Sequence, residues 1–424
     1  MTKFLKKVFF FLLIFNFLSA SFAQEAGSSQ KSSGNQTNDY SDDFDSIFDV
    51  DDESVFEEVP TISNDKVTEK KGIVFSGNLE SVLGGYIWLN PVDFVPGAIF
   101  ESVLSFTSRP TDNFSIKGSI LCSFPKMDIG LYELFFTYNL FNFAYVSAGK
   151  QKLGWGYSKI FDTNILNDKN DDVHDPQKLL HYEIKDPEDS KFTLSLFVPF
   201  WKINLTALLF YNNYGDENDE SSWDVSNISN ADLSYAGNIE FNLPNMSLGL
   251  FGRMWAINDS YKFDPAIGTD VNFQIKDLHF YTQYVLHTHF DEVTQEFSFP
   301  RMKGTASLWW FTREIADLGF ILEYQVVADE NKYVDGSMID NGVTGYLVKH
   351  YLAFEGAWGN IFDSKFTLGL KYFHDFYEEY GTIIPGVKIR NFIPNTEIDL
   401  GFPIYYGSQN NYGLALQIKL NVDF

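Results

Sequence analysis

Several short segments of the chain alternate between apolar and polar residues. Charged side chains that could bind or select a solute recur at the polar positions of these segments. In the C-terminal segment Leu414 to Phe424, apolar residues hold the even positions, whereas Gln417 and Lys419 lie among the odd ones. Successive side chains of a strand point to opposite faces, so the charges of each segment are predicted to share one face. Fixed charges on one wall are the chemistry of ion and solute selection. This predicted wall comprises Lys117, Glu240, Arg253, Arg313, Glu323, Lys349, Glu355, Lys371, Lys388, Arg390 and Lys419.

A histidine pair suggests a second kind of chemistry. His287 and His289 share a parity near the end of one segment, and Asp291 follows them. Such a trio could bind a divalent metal or supply a base, but a structural metal site usually has four ligands and supporting hydrogen bonds. No serine motif of an outer-membrane hydrolase accompanies it. We therefore predict no catalytic residue, metal or cofactor, and we keep a hydrolase site at the rim as the least favoured alternative.

The segments that carry these charges are predicted to be β-strands. Segments of about ten residues alternate apolar and polar positions, for example Phe114 to Phe124 and Phe366 to His374, and no helical period is sustained. The connections alternate between short and long. The short ones are near 109–112, 139–140, 199–202, 243–245, 276–277, 314–316 and 394–395, and the long ones near 152–190, 213–230, 257–265, 290–301, 328–342 and 404–412.

Strand count and connection lengths together favour a membrane barrel. Short turns at one end and long loops at the other are typical of transmembrane β-barrels. Counting gives eighteen strands, with sixteen as the alternative, and places both ends of the strand region on the short-turn side. A soluble sandwich or propeller would also use short alternating strands. We predict an all-β fold: a closed antiparallel transmembrane β-barrel spanning 72–424.

Composition and the N-terminal region point the same way. Aromatic residues make up 17% of the chain, yet its mean hydropathy is only −0.15, which fits apolar residues interleaved with polar ones. Lys3, Lys6 and Lys7 precede an apolar run, which predicts a signal peptide over 1–23. Residues 24–71 are acidic and poor in apolar residues, so they are predicted to form a disordered periplasmic tether. The net charge of −26 argues against nucleic acid as a partner.

Two stretches resemble known outer-membrane families. The closing segment with its final Phe424 resembles the signal that the barrel-assembly machinery reads in bacterial outer-membrane proteins. The stretch from Ala148 to Gly156, AGKQKLGWG, is similar to a strand-to-loop segment of alginate-exporter-like porin families, although Lys150 stands where arginine is commoner there. The resemblance implies a bacterial outer-membrane location and contact with outer-membrane lipid.

The expected function follows from the barrel and the resemblance. We expect a porin-like channel for passive diffusion of small hydrophilic solutes, and the resemblance implies that the loop 152–190 folds inward and narrows the pore. Facing a basic wall, an acidic loop would create a transverse field. A surface-exposed adhesin or structural barrel without an open channel is the alternative, and a homo-oligomer is left open. The acidic residues of the loop are Asp162, Asp168, Asp171, Asp172 and Asp175.

Overall fold

The computed structural model describes most of the region predicted to form the barrel. The predicted signal peptide, the acidic segment 24–71 and Phe424 lie outside the described residues. Within the described residues, no helix is long and apolar enough to span a membrane. The described residues are 73–89, 92–124, 128–141, 143–161, 166, 190–211, 233–255, 265–291, 296–312, 317–331, 333–334, 337–338, 345–361, 365–407 and 413–423.

The secondary structure of these residues is almost entirely strand. The first half of the chain contributes β1 (Ile73–Leu89), β2 (Val92–Thr111), β3 (Phe114–Phe124), β4 (Asp128–Leu140), β5 (Ala144–Lys152), β6 (Ser190–Phe200), β7 (Ile203–Tyr211), β8 (Leu233–Leu243), β9 (Met246–Trp255) and β10 (Ala266–Ile275). The second half contributes β11 (Leu278–Asp291), β12 (Glu296–Thr312), β13 (Leu318–Asn331), β14 (Tyr333–Val334), β15 (Ser337–Met338), β16 (Gly345–Ile361), β17 (Phe366–Asp375), β18 (Tyr380–Arg390), β19 (Thr396–Gly401), β20 (Ile404–Gly407) and β21 (Gly413–Asp423).

Nineteen of these elements form a closed antiparallel barrel of eighteen strands. Each strand pairs with its neighbour along the chain, and β21 pairs with β1 from Asn78 opposite Asp423 to Trp88 opposite Gly413. Strands β19 and β20 both pair with β18 and β21, so they are two halves of one barrel strand. Pro403 lies at the break, where a residue without an N–H cannot continue the ladder. The predicted count of eighteen and the closing pair are confirmed, and β14–β15 is a separate small hairpin.

The turns at the short end are tight because their residues adopt left-handed backbone. Trp201, Asn245 and Lys276 have φ between 54° and 63° in the turns between β6 and β7, β8 and β9, and β10 and β11. Positive φ lets a turn of a few residues follow the strand twist. Two predicted long loops are shorter than expected. In place of the predicted loop 290–301, only residues 292–295 separate β11 from β12. Pro300 lies within β12, beside an irregularity in the pairing of β12 with β11. In the predicted loop 404–412, the first residues form β20.

The outer face of the barrel is apolar. In β21, Leu414, Leu416 and Ile418 are 46%, 45% and 37% exposed, as the alternation predicted. Two outward glycines make room for the rings of neighbours: Phe106 lies over Gly118, and Tyr406 lies over Gly381. Lipid hydrocarbon requires an apolar outer surface, and it requires that no sheet edge leave backbone groups unpaired. This closed barrel meets both requirements.

Candidate functional site

The chain that leaves β5 lies against the inner wall of the barrel. We call residues Leu153–Phe161 the luminal segment. Its first half is buried: Leu153 and Trp155 are 1% and 6% exposed, and the Trp155 ring lies 6.4 Å from that of Phe251. Both belong to an apolar cluster on the inner faces of β7 to β11, so this half is packed onto the wall. The cluster comprises Leu153, Trp155, Leu166, Leu208, Phe210, Ala236, Phe251, Ala266 and Val285.

Tyr157 continues along the wall by a polar contact. Its ring meets that of Tyr281 edge-on at 5.6 Å, and its hydroxyl donates a hydrogen bond of 2.9 Å to Oε1 of Glu240. Asn204 donates to the other oxygen of Glu240 at 3.2 Å. Partial burial, and then the charge of Glu240, raise the pKa of the Tyr157 phenol, so the hydroxyl stays protonated and remains a donor.

The far end of the segment is held by Glu323 of β13, whose side chain is fully buried. Oε1 accepts hydrogen bonds of 2.7 Å from the Lys159 N–H and of 2.7 Å from the Ser307 hydroxyl. Oε2 accepts bonds from the Ile160 N–H at 3.0 Å, the Phe161 N–H at 2.8 Å and the Ser158 hydroxyl at 2.7 Å. Successive N–H groups that converge on one carboxylate form an anion-binding nest. Here the anion belongs to the barrel wall, so the nest fastens the segment.

Phe161, the last residue of the luminal segment, packs against β16 and β17. Its ring lies 6.5 Å from that of Tyr351 on β16 and 6.4 Å from that of Phe373 on β17, and it is 1% exposed. Strands β16 and β17 lie nine and ten places beyond β5 in the ring of eighteen. The luminal segment therefore follows the inner wall around about half of the barrel. The acidic residues of the predicted loop 152–190, Asp162, Asp168, Asp171, Asp172 and Asp175, lie outside the described residues.

Several predicted wall charges are joined in ion pairs. The Lys371 ammonium lies 3.1 Å from the carboxylate of Glu355, and Lys419 pairs with Glu80 on β1. The carboxylate of Glu397 takes both Lys388, at 2.8 Å, and Arg390, at 3.0 Å. Because the two charges of each pair lie so close together, their fields largely cancel for an ion farther away in the lumen. This part of the wall is therefore less basic than a count of its lysines and arginines suggests.

The remaining predicted wall residues are distributed around the ring. Arg253 is 3% exposed on the inner face of β9, and Lys117 and Lys349 are partly buried on β3 and β16. The ammonium of Lys349 lies 5.7 Å from the ring centre of Tyr377. Arg313 lies outside the described residues. Sequence reasoning missed Glu80 and Glu397, although both lie on the same parity as the charges it selected.

The histidine trio is only partly described. His287 lies on β11 opposite Arg301, and an irregularity in strand pairing separates it from His289. The side chains of His289 and Asp291 lie outside the described part of the chain. Among the described residues, no group of three or more histidine, cysteine, aspartate or glutamate side chains is arranged to hold a metal ion.

Comparisons with known proteins give likeness of fold alone. No protein-family model matches the chain, and neither does any curated protein by sequence. Pseudomonas aeruginosa OpdL superposes with a TM-score of 0.55 at 8% identity, over 83% of this chain and 98% of that protein. OccK11 (OpdR) of the same organism gives 0.53 at 8% identity, over 83% and 96%, and OccD3 (OpdP) gives 0.52 at 10%, over 84% and 91%. The similarity to alginate-exporter-like families stays a prediction. The chain shares the β-barrel fold of these P. aeruginosa proteins.

Proposed function

We propose that this protein is an outer-membrane channel for passive diffusion of small hydrophilic solutes, narrowed by the luminal segment. The observation that carries the proposal is the binding of Glu323 to that segment. A fully buried carboxylate with five hydrogen bonds fixes Ser158 to Phe161 on the inner wall, eight strands from where the segment leaves β5. A segment held in this way would act as a fixed constriction of an aqueous channel.

The membrane location rests on the barrel's outer face and on the sequence. A closed barrel with an exposed apolar band is stable in lipid, and barrels of this type belong to outer membranes. The predicted signal peptide 1–23 would direct export, and the closing strand that ends at Phe424 would be read by the barrel-assembly machinery. On this proposal the acidic segment 24–71 lies in the periplasm, on the side of the short turns.

An aqueous interior follows from strand number and side-chain chemistry. Barrels of sixteen to eighteen strands are wide enough for a channel, whereas eight strands are filled by their own side chains. Inward side chains here include charged groups, such as Glu80 with Lys419 and Glu397 with Lys388. We expect solutes to pass between these charged groups and the luminal segment.

Liposome swelling tests this proposal. Purified, refolded protein in liposomes should give swelling with small sugars that falls as solute size increases. A barrel that is folded and inserted but admits no sugar of any size would refute the channel and favour the adhesin or structural alternative.

A further inference from the structure

Two carboxylates lie close together on the inner wall beside the luminal segment. Glu240 on β8 and Asp270 on β10 are both register partners of Gly249 on the strand between them. The Asp270 carboxylate lies directly over Gly249, where any β-carbon would collide with it. The missing side chain at Gly249 therefore lets Asp270 lean across β9 toward Glu240.

Neither carboxylate has a basic partner among the described residues: no lysine or arginine of this part of the chain forms an ion pair with Glu240 or Asp270. The nearest inward base along β9 is Arg253, four residues from Gly249, which is about 13 Å in an extended strand. By contrast, Glu80, Glu355 and Glu397 each have a cationic partner. Unlike these three, the Glu240–Asp270 pair carries its negative charge without a cationic partner among the described residues.

A second, independent feature marks the place as a binding position. Gln283 on β11 is the register partner of Asp270, and its side chain is only 2% exposed. Its amide nitrogen has no hydrogen-bond partner among the residues that the structure describes. A buried donor left without an acceptor costs about 1–3 kcal/mol unless another molecule satisfies it. A solute that carries an acceptor next to its cationic group would do so.

The exposed part of this position is at Glu240. Tyr157, which donates to Glu240, is 38% exposed, whereas Asp270 and Gln283 are 6% and 2% exposed. We propose that Glu240, Asp270 and Gln283 form a subsite that takes the ammonium group of small solutes and makes the channel prefer cations. The proposal rests on the proposed channel function. Two carboxylates favour an ammonium over an anion, and the Gln283 amide accommodates a neighbouring acceptor on the same solute, as in an amino acid.

Reversal potentials in planar bilayers test the subsite. Across a tenfold gradient of potassium chloride, and then of methylammonium chloride, the wild-type channel should prefer the cation. The Glu240→Gln/Asp270→Asn double variant should lose that preference, by about fivefold for each charge removed, since a unit charge about 4 Å from a passing ion has that weight even in water. The single variants should fall between. Asp112→Asn, which removes one charge from the exposed β2–β3 turn, is the matched control and should behave as wild type.

The outcomes separate the two claims. Open channels that prefer anions, or whose selectivity does not change in the double variant, would overturn the subsite and leave the channel standing. Folded barrels that pass no current in any variant would overturn the channel and the subsite together. Strand content by circular dichroism shows whether each variant is folded, and the single variants keep the test valid if the double variant fails to fold.

Discussion

The carboxylate of Glu323 accepts a hydrogen bond of 2.8 Å from the backbone N–H of Phe161, and this bond joins β13 to a segment that began at β5. Four further hydrogen bonds converge on the same two oxygens. One wall side chain therefore sets the position of the far end of the luminal segment. The arrangement resembles a helix N-cap in its chemistry, but the capped N–H groups belong to irregular chain.

Replacing Glu323 with glutamine should loosen the luminal segment. In glutamine, an NH₂ group replaces one of the two carboxylate oxygens that accept hydrogen bonds from the segment and from Ser307. The donors facing that NH₂ group would lose their acceptor, and each buried donor left unpaired costs about 1–3 kcal/mol. We expect higher mean conductance and more frequent substates in single-channel recordings. Glu355→Gln is the control, because Glu355 is also buried and inward but pairs with Lys371. Equal changes in the two variants would show that Glu323 has no special role.

Replacing Trp155 with alanine should release the first half of the segment. The indole fills the cluster around Phe251, and losing a buried tryptophan side chain typically costs about 3–5 kcal/mol of packing. We expect larger sugars to enter proteoliposomes, while the heat-induced shift in gel mobility that reports barrel unfolding stays close to wild type. Trp201→Ala, at a turn position that is 88% exposed, should change neither property. An unchanged size limit in Trp155→Ala would contradict the predicted role of the cluster.

Opposite faces of the closing strand should respond differently to a charge. Ile418 is exposed on the outer face, whereas its neighbour Gln417 points inward. Arginine on the lipid face near mid-bilayer costs about 2–4 kcal/mol, so Ile418→Arg should lower the free energy of unfolding by that amount. Gln417→Arg should have little effect. Urea unfolding in lipid vesicles measures both, and equal losses would argue against lipid on the outer face.

Barrel closure predicts a specific cross-link. The Asn78 amide donates a hydrogen bond of 2.8 Å to Asp423, its register partner across the seam between β1 and β21. Cysteines at both positions, with Cys122 replaced by serine, should form a disulfide that makes the unfolded chain migrate faster on gels. Cysteines at 78 and 417 should not react, because they lie about 20 Å apart along the seam. The opposite pattern would mean that the strands pair in another register.

The barrel is predictable from sequence because its determinants are local. Alternation in segments such as Phe114–Phe124 and the turn residues near Asn245 report strand and turn positions without knowledge of distant partners. The number of strands and the seam then follow from parity and from the placement of both ends of the strand region on the short-turn side.

The interior is much less predictable. The pairing of Lys419 with Glu80 depends on register across a seam between the two ends of the barrel, which alternation alone does not give. Alternation places Glu323 among the predicted inward charges, but its contact with Phe161 depends on the path of an irregular segment across eight strands. The approach of Asp270 to Glu240 depends on a glycine on a third strand. Such relationships are tertiary, and no periodic pattern encodes them.

The most direct test of the account is the current through single wild-type barrels. Purified protein, refolded and inserted in planar bilayers, should produce discrete conductance steps that appear at both voltage polarities. The steps should enlarge in Glu323→Gln and keep their size in Glu355→Gln. Folded, inserted barrels that give no steps would contradict the proposed channel.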